Sequence, residues 1–541
     1  MSTASAATGQ TGAAPADRID PRPETARNPT SQTADRTQLP PVLDELRAEL
    51  RELAVLKSIS SVLGWDEQVN LRPAGAEHRA EQLSVMAGLT HDRSTSKMLG
   101  DLIAAAEEVA LPDDHPFSAV VSDARREYRR ATCLPRSLVQ NLSRTTLLAQ
   151  QAWVAARRDS DFARFSPHLD RVVQLKREEA DAVGSESGIR YDALLDDYEP
   201  GMTVELVDAA FAPLAASLSN LTESTDFRRL NQSTEVMERD YAIDSQRKLS
   251  RTVAESIGFD FAAGRIDEAA HPFCSSPGPQ DCRLTTRYRS DLLTQGLYGT
   301  LHEAGHGLYE QGLLVDEFGT ALGDACSLGI HESQSRLWEN FVGRSREFWE
   351  FLMPIVRRIF PHAVGKSTVD DYFRAANVVR PSYIRVESDE VTYNLHIILR
   401  YELERELIDG DLAIADVPER WNTRFEELFG LAVTDDADGC LQDVHWSAGL
   451  IGYFPTYTLG NIYAAQLMES IRSQMPNLGE DIRQGRFSDL LGWLRREIHV
   501  YGRRYSPPTL IERATGRIPT SEPLTAYLTQ KVDAILNSDR G

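Results

Sequence analysis

The strongest constraint on this chain is the pentapeptide His302-Glu303-Ala304-Gly305-His306, in which three residues separate two histidines. Residues four apart lie on one face of an α-helix, so both imidazoles can reach a single metal ion. Glu303 then lies beside that ion, where its carboxylate can accept a proton from water. The pattern therefore predicts a helix that carries a zinc site.

The residues around the pentapeptide favour that helix. Leu293, Leu297, Leu301 and Leu308 recur at helical spacing and form an apolar stripe. Gly312 offers a place for the helix to end. The segment also contains three glycines that weaken a helix by about 1 kcal/mol each, which indicates close approach of a ligand, another backbone or a crossing helix. These glycines are Gly299, Gly305 and Gly307.

A zinc site with two histidines needs a third protein ligand and an open position for water. In one class of zinc enzymes the third ligand is a histidine six residues after the second, but here Gly312 is at that position and Tyr309 replaces the accompanying glycine. The other common choice is a carboxylate from a following helix. Glu332 near the beginning of that helix and Glu339 two turns later both fit, and spacing alone leaves both open.

Four further segments carry recognisable motifs in a fixed order. They are His331-Glu332-Ser333-Gln334-Ser335-Arg336, Asp281–Thr285 (D-x-R-x-T), Ile384–Asp389 (I-R-x-x-A-D, with Ser388 in place of alanine) and Gly439–Trp446 (G-x-x-Q-D-x-H-W). Together with the pentapeptide they resemble the carboxypeptidase Taq family of metallocarboxypeptidases, over a stretch from about Leu46 to the end. By this resemblance Glu332, rather than Glu339, is the third metal ligand.

The resemblance implies a function for the site. The family suggests metal-dependent release of C-terminal amino acids from peptides with a free C-terminus, with broad side-chain tolerance and poor action on proline. His302, His306 and Glu332 would hold Zn²⁺, and Glu303 would act as the general base. Co²⁺ suits the same donors. The family also implies a single catalytic domain with a deep groove, usually in a homodimer.

A carboxypeptidase must also support an oxyanion and bind a C-terminal carboxylate. His445, Tyr457 and Tyr505 are candidates for the oxyanion, because Tyr and His can donate to a developing negative charge. Arg385 is the first candidate for the carboxylate and Arg504 the second, because a guanidinium binds two oxygens at once. The alternative for Arg385 is an ion pair with Asp389. Asp324 and Asp443 are candidate partners of the ligating histidines.

The sequence predicts a mainly α fold, a large multi-helix catalytic domain with a small β-sheet beside the zinc helix. Residues 1–40 hold almost no large apolar side chain and are predicted to be a disordered tail, so the catalytic domain spans residues 41–541. The best strand candidate is Cys282–Tyr288, which we expect to pair with extended substrate. Gly188–Pro200 and Gly439–Tyr457 are predicted to be loops.

Helical periodicity covers most of the remaining chain. Leucines at three- and four-residue steps open a helix near Pro41 that continues, with a break at Pro73 and Gly75, to about His91. Further helices are predicted at 97–110, 114–131, 137–158, 166–186, 203–223, 231–257, 345–361, 368–378, 390–408, 418–433, 456–475, 480–500 and 523–537. Residues 272–279 are predicted to be a turn-rich linker.

Composition narrows the classes of partner. The formal net charge of -23 argues against nucleic acid, because phosphate binding needs a basic face. No run approaches the roughly 18 apolar residues that a membrane span needs. The five cysteines are scattered and form no C-x-x-C pair, which predicts free thiols in a reducing cytoplasm.

Two rival functions remain at this level. The same two-histidine, one-glutamate chemistry serves an oligopeptidase that cuts internal bonds. A non-catalytic helical scaffold with a degenerate site is the rival from another class, and the presence of all three ligands and of Glu303 argues against it.

Overall fold

The computed structural model describes residues 39–112, 114–224 and 233–538. Helices of all kinds account for 68% of the described residues, and a three-stranded sheet packs against the helix that carries His302 and His306, which confirms the mainly α fold class. The predicted disordered tail, apart from Leu39 and Pro40, lies outside the described residues, as do residues 231 and 232 of one predicted helix.

Nine α-helices precede the sheet in the described part of the chain. They are α1 (Pro41–Val69), α2 (Ala76–Ser94), α3 (Lys97–Glu107), α4 (Pro116–Cys133), α5 (Arg136–Asp159), α6 (Phe162–Val183), α7 (Arg190–Leu195), α8 (Val204–Ser224) and α9 (Ile243–Ser256). Prolines open α1 and α4, where the missing N–H costs nothing. The predicted loop Gly188–Pro200 is wrong in part, because α7 lies inside it. Asp192 of α7 accepts the backbone N–H of Val204 at 2.6 Å and thereby joins α7 to α8.

The sheet contains β1 (Gly264–Glu268), β2 (Cys274–Gly278) and β3 (Asp281–Thr286), in the order β1-β3-β2. The predicted strand corresponds to β3, which pairs parallel with β1 and antiparallel with β2. The predicted linker at 272–279 instead contains β2. Because both edges of β3 are occupied, the prediction that this strand pairs with extended substrate is wrong.

Twelve α-helices follow the sheet in the described residues. They are α10 (Leu293–Glu310), α11 (Leu328–Arg336), α12 (Arg346–Ile359), α13 (Pro361–Val364), α14 (Val369–Ala376), α15 (Tyr393–Asp409), α16 (Val417–Phe429), α17 (Pro455–Gln474), α18 (Leu478–Arg483), α19 (Ser488–Glu497), α20 (Pro507–Thr515) and α21 (Glu522–Ser538). A π-helical turn, Leu337–Val342, continues α11. The predicted loop Gly439–Tyr457 is wrong at its end, where α17 begins, and α20 was not predicted.

Close helix crossings pack α11 against both α10 and α17. A Cβ on Gly305 of α10 would lie 2.6 Å from the Cα of Ser335, and a Cβ on Gly460 of α17 would lie 2.6 Å from the Cγ of Glu332. Gly305 is thus explained by a crossing helix. The beginning of α11 is fixed separately, because the Ser327 hydroxyl accepts the N–H of Ile330 at 3.0 Å.

Helix α8 is long and apolar enough, by length and composition, to meet the criterion for a membrane span over Val204–Glu223. This departs from the expectation that no segment approaches that criterion. One face of α8 packs into the main core through Val207, Phe211, Leu214 and Leu218. A single apolar helix that contributes to a core is weak evidence for a membrane span.

Candidate metal centre

Three side chains from α10 and α11 converge on one point. The Oε2 atom of Glu332 lies 3.7 Å from Nε2 of His302 and 3.5 Å from Nε2 of His306. Within the described residues, these are the one group of three or more His, Cys, Asp or Glu side chains whose ligand atoms all lie within 4.8 Å of one another. Two imidazole nitrogens and a carboxylate oxygen are a donor set that fits a divalent zinc-type ion.

Burial and neighbouring charges set the protonation of these groups. Burial opposes the charged form of His302, but Glu332 and then Glu339 outweigh it and raise its pKa to about 9. Burial lowers the pKa of His306 to about 3. Burial would raise the pKa of Glu332, yet Arg336 and His302 hold it well below its usual range. The ionised carboxylate and the neutral His306 are the forms that bind metal, and a bound cation would displace the proton of His302.

Glu303 is buried and lies next to His302 on α10. Burial raises the pKa of its carboxyl group to about 7, against the charge of His302, which lowers it. A carboxylate with a pKa near neutrality is suited to accept and return a proton. The structure thus places the predicted general base next to the three predicted ligands.

Glu339, the rival ligand, contacts the outer side of the site. Its Oε2 atom lies 2.9 Å from Nδ1 of His302, which orients the ring so that Nε2 points to Glu332. Glu339 is also hydrogen-bonded to Arg336 and Arg344 at 3.3 Å and 3.1 Å. The structure therefore assigns it to the orientation of a histidine, a common arrangement around metals.

The second histidine is oriented by residues that sequence reasoning missed. Nδ1 of His306 lies 2.5 Å from Nδ1 of His331, whose Nε2 lies 2.8 Å from Oε1 of Glu310. Glu310 is four residues after His306 and therefore shares its helix face, a signal that the sequence offered. The prediction that Asp324 orients a ligating histidine is wrong, since its carboxylate instead pairs with Arg503 at 2.8 Å.

Arg385 lies in a buried ion-pair cluster. Its Nε and Nη2 atoms donate to Oδ1 of Asp443 at 3.1 Å and 2.8 Å, and Arg400 donates to Oδ2 at 2.6 Å. The alternative pair with Asp389 is wrong, since that carboxylate instead accepts backbone N–H groups, including that of Thr392. Asp443 likewise holds these arginines rather than a ligating histidine, so its predicted role is also wrong.

An aromatic wall lies next to this cluster. Nη1 of Arg385 donates to the hydroxyl of Tyr393 at 3.0 Å, and its guanidinium lies 5.1 Å from the ring centroid of Tyr457. The Tyr457 hydroxyl is 3.3 Å from Nε2 of His445. Burial raises the pKa of Tyr457 well above its usual value, and the charges of both Arg385 and Glu332 act on it. The Tyr457 ring therefore packs against the arginine cluster, and its hydroxyl faces His445.

Arg504 and Tyr505 make their contacts elsewhere. Arg504 donates to the backbone carbonyl of Asp114 at 2.6 Å and stacks on the Tyr505 ring. The Tyr505 ring packs against Tyr501 and Arg513. None of these contacts in the described structure involves the three metal-site side chains, so the structure does not bring these two candidates to the site.

A helical chain in which two histidines of one helix meet a glutamate of the next, with a buried glutamate beside them, has the site of a metallopeptidase. The family model for carboxypeptidase Taq (M32) metallopeptidases matches residues 45–532. The chain belongs to this family and is a metallocarboxypeptidase, a peptide hydrolase.

Relatives cover nearly all of both chains. Thermostable carboxypeptidase 1 of Thermus thermophilus is 42% identical over 495 residues, which cover 90% of this chain and 97% of that one. Carboxypeptidase 1 of Bacillus subtilis is 34% identical over 482 residues, covering 89% and 96%. The crystal structure of the M32 carboxypeptidase from Deinococcus radiodurans R1 superposes with a TM-score of 0.89 at 39% identity, covering 92% of this chain and 99% of that chain.

Proposed function

We propose that this metallocarboxypeptidase releases C-terminal amino acids one at a time from peptides, with a divalent ion held by His302, His306 and Glu332. The observation that carries the proposal is the convergence of these three ligand atoms within 4.8 Å. When bound, Zn²⁺ or Co²⁺ supplies Lewis-acid polarisation of a carbonyl and acidifies water. The donor set accepts either metal.

Glu303 is the proposed general base. Its carboxylate accepts the proton of the attacking water and passes it to the leaving amine, a transfer that contributes about 10² to 10⁴ in rate. Its raised pKa, about 7, supports this role, because the group is ready to hold a proton and to release it.

Arg385 is the proposed receptor for the C-terminal carboxylate. Arg385 and Arg400 carry two positive charges and share one negative charge, Asp443, so the cluster keeps one surplus positive charge. That surplus supplies the local cation that an anionic substrate needs on a protein with a net charge of -23. Tyr457, paired with His445, is the proposed donor to the oxyanion.

The specificity, assembly and location are also proposals. Broad tolerance of side chains with poor action on proline, and a homodimer, rest on family membership. The net charge of -23 supports peptides rather than nucleic acid as partners. All five cysteines are free thiols in the structure, which supports a cytoplasmic location.

The test uses one peptide sequence made with a free and with an amidated C-terminus, digested by the zinc-loaded protein and read by mass spectrometry. We expect a ladder of single-residue losses from the free form and little cleavage of the amide. Internal fragments from both forms would instead identify an oligopeptidase that cuts internal bonds. An intact pair of peptides, with stoichiometric metal bound, would support a non-catalytic scaffold.

The variant Glu303→Gln tests the role of the general base. We expect turnover to fall by at least about 100-fold while metal content, measured by elemental analysis, stays at the wild-type level. The reason is that a glutamine side chain keeps the shape of glutamate but cannot take a proton. Near-normal activity of this variant would contradict the role of Glu303.

A further inference from the structure

The two oxygens of Glu332 face different partners. Oε2 points to Nε2 of both histidines, while Oε1 accepts the Nε–H of Arg336 at 2.6 Å. A charge-assisted bond of this length is among the stronger hydrogen bonds in proteins. The hydroxyl of Ser335 also approaches Oε2, at 3.3 Å, but its shorter bond of 2.7 Å is to the backbone carbonyl of Glu332.

Arg336 is itself held from two further directions. Its Nη1 donates to Oε2 of Glu339 at 3.3 Å, and its guanidinium lies 4.7 Å from the ring centroid of Tyr393. The side chain is only 15% exposed, so the guanidinium has little freedom to leave Glu332. The planar guanidinium of Arg336 thus contacts Glu332, Glu339 and Tyr393.

The position of Arg336 in the backbone explains how its side chain reaches both Glu332 and Glu339. Arg336 is the last residue of α11 and is followed by the π-helical turn Leu337–Val342. Glu332 and Glu339, one on each side of this junction, both turn toward the same guanidinium. π-helical turns inside α-helices are frequent at functional sites.

We infer that Arg336 is a positioning residue that reserves Oε1 of Glu332, so that Oε2 alone faces the metal ion and one coordination position stays open for water. The inference rests on the proposed function, since it concerns the same metal ligands. A lysine at this position would present a point charge without a fork and could not bind both glutamates in the same geometry. A methionine would release Oε1, and both oxygens of Glu332 could then face the ion.

The test compares Arg336→Met, Arg336→Lys and the wild type, each as the full chain loaded with one equivalent of Co²⁺. The visible absorption of Co²⁺ weakens as its coordination number rises. We expect Arg336→Met to bind Co²⁺ with a clearly weaker visible band, Arg336→Lys to be intermediate, and kcat to fall by about 10-fold to 100-fold with little change in KM.

The matched control is Arg346→Met on α12, because Arg346 pairs with Glu350 and Asp370 on an exposed face. We expect this variant to keep the wild-type band and kcat. A wild-type band in a folded Arg336→Met protein would overturn the inference and leave the proposed function intact. If Arg336→Met does not fold, the Arg336→Lys spectrum decides, and a wild-type band there overturns it. Failure of the wild type to bind Co²⁺ or Zn²⁺ would overturn the proposed function together with the inference.

Discussion

At the scale of the residue, several buried charges of this protein are satisfied by specific donors. Glu404 is fully buried and accepts hydrogen bonds from the Tyr191 hydroxyl at 2.7 Å, the Trp446 indole at 2.9 Å and the Gly452 backbone at 3.0 Å. Burial raises its pKa to about 7, even though the three donors favour the ionised form. A carboxylate of this kind links stability to pH.

This linkage gives a prediction with a definite sign. Because the folded pKa of Glu404 lies above the unfolded value of about 4.5, folding favours the protonated form. Its contribution to stability is therefore fully present below about pH 4.5 and is lost as the pH rises to about 7. The test measures the unfolding free energy in urea at pH 5 and pH 8 for the wild type and for Glu404→Gln. Between these pH values we expect the wild type to lose up to about 3 kcal/mol more unfolding free energy than the variant. If the unfolding free energies of the two proteins depended equally on pH, the predicted contribution of Glu404 would be wrong.

At the scale of the element, the positions of the proposed metal ligands depend on helix crossings. Glu332 reaches the histidines of α10 because α11 packs closely on both α10 and α17, and glycines at the crossings make that distance possible. The side chain of Glu332 occupies the space next to Gly460. A Cβ added to Gly460 would lie 2.7 Å from Cβ and 2.6 Å from Cγ of Glu332. The crossing and the site are therefore one structural unit.

Gly460→Ala tests this unit. Alanine favours a helix by about 1 kcal/mol, but the added methyl group would displace Glu332, and overpacking of this kind costs about 1–3 kcal/mol. We expect a net loss of unfolding free energy in urea and a weaker affinity for Zn²⁺, measured by chelator competition.

Gly492→Ala in α19 is the matched control, because a Cβ at Gly492 would meet nothing within 4 Å. It should stabilise the protein by about 0.4–1 kcal/mol and leave the Zn²⁺ affinity unchanged. If Gly460→Ala behaved in the same way as this control, the close crossing would not be what positions Glu332.

At the scale of the whole molecule, the proposed metal centre joins segments that are distant in sequence. The ligands come from α10 and α11, and α11 is also tied to the loop after α7 by Glu199, whose carboxylate accepts the N–H of Gly329 at 2.8 Å and the hydroxyl of Tyr463 on α17 at 3.0 Å. An ion that binds only this assembled arrangement stabilises the native state.

Metal removal should therefore lower the thermal stability of the whole chain. At a free ion concentration of 100 times Kd, binding contributes about 2.7 kcal/mol, so we expect Tm in calorimetry to fall by a few degrees when a chelator removes the ion. In His306→Ala, which lacks a ligand, the chelator should make no further difference. A Tm that is insensitive to metal in the wild type would indicate that the ion does not bind the folded site.

Local patterns in the sequence were enough to predict the mainly α fold and a helix with His302 and His306 on one face, because helical periodicity and i, i+4 spacing are properties of one continuous segment. The roles of His302, His306 and Glu303 in binding metal and moving a proton stay predictions. Motif resemblance pointed to Glu332. Only the tertiary structure decided that Glu339 orients His302, that Asp443 rather than Asp389 pairs with Arg385, and that β3 lies in the middle of its sheet. These outcomes depend on side chains and strands brought together from distant parts of the chain, where packing and burial, rather than local spacing, select the partner.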